Sequence, residues 1–142
     1  MTNIVRLTAE PVTSIINEEE VTPARLASIL EAAVIEQRVD SDGDIYVSDG
    51  LDFPAWISIS EDQKLLEFLT YFDPEASAPD NVYARTNDVN RSVMVVQFSW
   101  QSDKLWGQYW LSYDGGLNVK HFIQMLRKFS IAFSTGMERF KS

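Results

Sequence analysis

The chain has 142 residues, 45% of them hydrophobic, a formal net charge of −9 and no cysteine. That length and apolar content predict one globular domain with a substantial core. The missing thiols exclude disulfides and thiolate chemistry and fit a reducing compartment, and the acidic balance argues against a nucleic-acid binder, because phosphate contacts need a positive surface.

No apolar stretch approaches the roughly 20 residues of a membrane helix. Residues 1–20 lack a basic region followed by an unbroken apolar run, so no signal peptide is expected. Charge is unevenly spread: residues 1–80 carry 17 acidic and 4 basic side chains, residues 81–142 carry 4 and 8. Acidic loops followed by a basic helix explain this; a two-signed surface that steers a partner is the sharper alternative.

Residues 1–20 show no clear period and read as an N-terminal arm, with residues 21–142 as the domain. VTPARLASILEAAVIEQ predicts an amphipathic helix to about Gln37, with Thr22 as cap and Pro23 at the first helical position. Its apolar stripe is Leu26, Ile29, Leu30, Ala33 and Val34. The chain then switches to strands punctuated by the turn dipeptides Asp42-Gly43 and Asp49-Gly50. Residues 53–60 and 64–72 alternate around a polar turn. That pairing sets Ile57 opposite Phe68 and Trp56 opposite Leu69, with Phe53, Ala55, Ile57, Ile59, Leu66 and Phe68 facing the core.

Pro74 and Pro79 bracket a loop. Asp80 is the expected cap of a second helix, with Val82, Tyr83, Thr86 and Val89 along one side and Asn90 ending it. VMVVQFSW and KLWGQYWLSY predict a second hairpin that pairs Phe98 with Gly107. Its core face is Met94, Val96, Phe98, Trp100, Leu105, Tyr109 and Leu111. Asn118 is the expected cap of a long last helix buried along Val119, Phe122, Leu126, Phe129 and Phe133, with Gly136 ending or fraying it. The order α-β-β-β-α-β-β-α is α+β: an antiparallel sheet packed with helices.

Alternation sends Trp56, Trp106 and Trp110 to the sheet face opposite the core, with Leu69, Tyr71, Val93 and Val95. An open antiparallel sheet normally keeps that face polar. Either the arm or a helix covers these side chains, or they form a docking surface; aromatic patches with polar rims mark interfaces. Trp56, Leu69, Val95, Trp106 and Trp110 are therefore the candidate partner-binding residues.

Catalytic and metal chemistry find little support. Asp40-Ser41-Asp42-Gly43-Asp44 lacks the calcium-loop spacing, having glycine fourth and Leu51 twelfth, and reads as a turn. His121 stands alone, which leaves no zinc set. No nucleophile elbow, P-loop or dinucleotide fingerprint is present. No catalytic residue, metal ligand or cofactor is expected.

The early helix, SDGDIYVSDGLDFPAWISIS, NDVNR, VMVVQFSW and DGGLNVKHFIQMLRKF together resemble the YbjN-domain family of proposed bacterial sensory-transduction regulators, over about residues 22 to 135. The resemblance implies a type III secretion chaperone-like fold that usually dimerises and a non-enzymatic cytoplasmic protein; the leading expectation is a bacterial binding or regulatory module that recognises a protein partner, as a homodimer. A chaperone for one secreted or unstable client is the alternative, and a small-ligand binder or enzyme the second.

Overall fold

The computed structural model describes residues 14–74 and 79–142. The first thirteen residues of the expected arm, and positions 75–78 of the loop between Pro74 and Pro79, lie outside the described residues. Strand β1 (Ile15–Ile16) is followed by a 3-10 turn at Glu18–Glu20 and helix α1 (Pro23–Ala32). Four strands come next: β2 (Glu36–Val39), β3 (Ile45–Asp49), β4 (Ala55–Ser60) and β5 (Leu65–Phe72). Helix α2 (Val82–Ser92) leads to β6 (Gln97–Gln101) and β7 (Lys104–Ser112), then β8 (Leu117–Asn118) and α3 (Val119–Lys141). The main sheet is antiparallel, in the order β2-β3-β4-β5-β7-β6, and β1 pairs separately with β8.

Helix α1 starts as the sequence predicts, with Thr22 Oγ1 accepting the Arg25 N–H at 3.2 Å, but stops five residues short of Gln37. The Ile35 N–H reaches the Leu30 carbonyl at 2.9 Å and the Val34 N–H reaches Glu31 at 3.0 Å. This is the Schellman ending, with Val34 in the left-handed conformation at φ 60°. The turn throws Val34 out to 86% exposure and buries Ile35 instead. Glu36 and Gln37, freed from the helix, join Arg38 and Val39 in β2, so four strands, not three, separate the first two helices.

Both predicted hairpin registers hold: Ile57 faces Phe68, Trp56 faces Leu69 and Phe98 faces Gly107. The inner face of the sheet packs on α3, whose Val119, Phe122, Leu126, Phe129 and Phe133 are all buried. Phe68 lies 6.0 Å from Phe122 and 5.8 Å from Phe129, centroid to centroid. Asn118 Oδ1 caps α3 by accepting the His121 N–H at 2.9 Å. Each buried phenylalanine contributes roughly 1.5–3 kcal/mol by leaving water.

Gly136 does not end α3. It is buried inside the helix, and a Cβ there would lie 2.2 Å from Phe98 Cζ. Gly107 likewise lies under the Phe133 ring. The two glycines let Phe98 and Phe133 stack at 5.5 Å between helix and sheet. Trp100 closes this end of the core, stacked on Phe140 at 5.6 Å.

Four local expectations fail nearby. Asp80 is not the cap of α2; Asn81 is, at φ 61° and without a side-chain hydrogen bond. Tyr83 is 69% exposed rather than packed. Asn90 does not end α2, which runs on to Ser92; the left-handed residue is Val95, at φ 79°. That reversal delays β6 to Gln97 and breaks the alternation upstream, so Met94 is 82% exposed instead of facing the core.

Candidate functional site

The outer face of the sheet carries the feature the tryptophans foreshadow. Tyr46 on β3 pairs across to Trp56 on β4, and their rings sit 4.8 Å apart. Trp56 stacks on Tyr71 of β5 at 5.9 Å and 15°. Tyr71 meets Trp106 of β7 at 5.0 Å. Cross-strand contacts of this kind hold a sheet's side chains in one arrangement. Cations lie over the two tyrosines: Arg38 of β2 over the first ring, Tyr46, at 5.5 Å, and Lys104 over Tyr71 at 5.6 Å. The Trp106 indole N–H donates to the Gln101 carbonyl at 3.0 Å, which fixes the last ring.

The ladder crosses five of the six strands. Its neighbours are Leu69, Ser58, Ser99 and the Gln108–Glu67 hydrogen-bonded pair. Leu69, Trp106 and Gln108 line a shallow cavity of about 250 Å³. The tryptophans on this face are incompletely covered, and Trp110 is 44% exposed. The buried side chains of all three helices belong to the core on the other face.

The structure thus brings together four of the five candidate residues. Trp56 and Trp106 are joined through Tyr71, Leu69 lies between them, and Trp110 stands beyond the Gln108–Glu67 pair. Val95 is elsewhere. Its positive φ turns it to the helical side, where it lines an apolar groove with Met94, Ile131 and Ala132. Sequence reasoning did not include Tyr46, Arg38 and Lys104. Tyr46 was accessible to it: buried Ile45 and Val47 flank it, so alternation alone sends it outward.

Among the described residues, no group of three or more His, Asp or Glu is placed to hold a metal ion. Asp40 holds a hairpin turn, its Oδ1 accepting the N–H groups of Asp42 and Asp44 at 2.9 and 3.0 Å. Among the described residues, no helix is long and apolar enough to cross a membrane.

An antiparallel sheet, backed by a long helix on one face and, among the described residues, aromatic and only partly covered on the other, defines an α+β protein of helix-backed-sheet type. The model of the YbjN family, described as "putative bacterial sensory transduction regulator", matches residues 22–142, and the chain belongs to that family. Among solved structures it is similar to the crystal structure of YbjN from E. coli, titled "a putative transcription regulator". The identity is 20%, the TM-score 0.64, and the match covers 80% of this chain and 86% of that one. At that identity the likeness concerns the fold. No curated protein matches the chain.

Proposed function

We propose that this protein is a non-enzymatic regulatory module of the bacterial cytoplasm, and that the outer sheet face is its contact surface. The first occupant of that face is a second copy of the chain, giving a homodimer. The observation that carries this reading is the rigid aromatic ladder left uncovered by the helices. Pre-ordered aromatic rings bind at low entropic cost.

The charge distribution supports the same surface. The chain carries −9 overall, but the ladder has Arg38 and Lys104 against Glu67, with serines and glutamines around them. Two copies can therefore meet there without the repulsion that the rest of the surface imposes. Enrichment in aromatics with few charges is the composition of interface centres.

The test is solution mass by light scattering across a dilution series, for the native chain and for Trp106→Ser combined with Trp110→Ser. A native dimer that becomes a folded monomer in the variant supports the proposal. A native monomer, or an unchanged dimer in the variant, overturns the face as a self-contact. A variant that no longer unfolds cooperatively assigns the rings to the fold.

A second reading, a chaperone for one client, draws on the groove of Met94, Val95 and Ile131, which suits an apolar segment. It requires that Ile131→Ser abolish co-purification of a single defined client.

A further inference from the structure

The two edges of the sheet are treated differently. Edge strand β6 is closed at its middle, where Asn90 of α2 takes both the N–H and the carbonyl of Phe98, at 2.8 and 2.9 Å. Edge strand β2 touches α1, but among the described residues it has a strand neighbour on one side only. Its register with β3 sets Gln37 opposite Val47, Arg38 opposite Tyr46 and Val39 opposite Ile45.

The Asp40 N–H donates to the Asp44 carbonyl at 2.9 Å, so 40 and 44 form a hydrogen-bonded pair. Bonded and non-bonded pairs alternate along an antiparallel ladder. Arg38 is then bonded to Tyr46, whereas the main-chain groups of Gln37 and Val39 point away from β3. Those are the donors and acceptors that an added strand uses.

The surroundings select the chemistry of that strand. Glu36 sits directly opposite Asp49, a like-charge pairing that costs stability. Glu31 joins them around a cavity of about 500 Å³. Asp40 and Asp42 stand at the other end of β2. None of these five carboxylates makes an ion pair among the described residues. A second copy pairing β2 with β2 would bring the same carboxylates together.

We propose that the open edge of β2 receives an extended, basic segment of a partner protein, which joins the sheet as a seventh strand. Its lysines or arginines lie against the carboxylates at the two ends, and its main chain bonds to Gln37 and Val39. The shortness of β2 and the bulge at Glu36/Gln37 restrict indiscriminate pairing, so charge provides the selection. This edge meets the aromatic face only at Arg38.

The test uses two capped hexapeptides of alternating sequence, Lys-Val and Glu-Val, titrated into the isotope-labelled chain and followed by NMR. The expected result is binding of the lysine peptide alone, with the largest shifts at the Gln37 and Val39 amides and weakening as salt is raised. Val39→Pro removes an outward N–H without touching the β3 ladder and should abolish binding. Should that variant unfold, Glu36→Gln with Asp49→Asn decides, with about fivefold weaker binding expected. Trp106→Ser with Trp110→Ser should bind the peptide normally, which separates this proposal from the dimer. Equal binding of both peptides, no binding at millimolar concentration, or full binding by the charge variant overturns it. So does self-association that Val39→Pro removes, since the edge then serves a second copy.

Discussion

Asn90 holds Phe98 by both of its main-chain groups. The side-chain amide donates to the Phe98 carbonyl at 2.9 Å and accepts the Phe98 N–H at 2.8 Å. A helix side chain thereby substitutes for the next strand of the sheet. Ser130 repeats the arrangement with Phe53, accepting its N–H at 2.6 Å and donating to its carbonyl at 2.9 Å. Only a group with both donor and acceptor can do this. Asn90→Ala should therefore cost about 1–3 kcal/mol, because it strands two partly buried main-chain groups. Asn90→Asp should cost a similar amount, since a carboxylate then faces the Phe98 carbonyl. Urea unfolding of both variants measures it; an unchanged midpoint for Asn90→Asp would show that the donor half is dispensable.

Gly136→Ala sets two effects against each other. Alanine in a helix interior gains about 1 kcal/mol of propensity over glycine. Here the new Cβ would lie 2.2 Å from Phe98 Cζ, and the ring is held on its other side by Phe133 at 5.5 Å. Overpacking of this kind costs about 1–3 kcal/mol, so net destabilisation is expected. A thermal melt reads the sign directly. Combining Gly136→Ala with Phe98→Leu should restore part of the loss, because leucine has no ring edge at that position.

Much of the fold was legible from period and turn chemistry. The stripe Phe122, Leu126, Phe129, Phe133 and the pairing of Ile57 with Phe68 depend on spacing alone, and spacing is local. What escaped was nonlocal or counter to propensity. Gly136 looks like a helix end because its packing partner, Phe98, is 38 positions away. Val34 looks helical because a β-branched residue rarely takes positive φ, so the first half of β2, Glu36 and Gln37, was hidden within a predicted helix. Val95 deceived in the same way, and took a candidate contact residue off the aromatic face. The ladder itself was half visible: alternation gave Trp56 and Trp106, while their link through Tyr71 needed the order of strands in space.

Val34 offers a gain in stability. It holds φ 60° at 86% exposure, so its side chain returns little packing for its backbone strain. The left-handed conformation costs a non-glycine residue roughly 1–2 kcal/mol, and glycine returns part of that through its freer unfolded chain. Val34→Gly should raise stability by about 0.5–1 kcal/mol, seen as a higher urea midpoint with an unchanged slope. A fall instead would mean that Val34 makes a contact worth more than its strain.

Two surface carboxylates predict the acid limb of stability. Glu18 accepts the Gly115 N–H, and this bond, with Lys64 nearby, holds its pKa below the ordinary 4.5. Asp88 accepts from Arg139 Nε at 2.7 Å, which lowers its pKa below the ordinary 3.8. Each group binds its proton more readily in the unfolded chain than in the folded one. Stability from both is therefore fully present above about pH 4.5 and is lost as pH falls through the lowered folded values. Glu18 ties the segment carrying β1 to the turn before β8, and Asp88 ties α2 to the end of α3. Urea midpoints measured from pH 7 down to pH 3 should fall less steeply in Glu18→Gln and in Asp88→Asn than in the native chain, and the variants should converge with it at the acid end. A gap between native and variant that stays constant down to pH 3 would show that geometry, not charge, carries the two contacts.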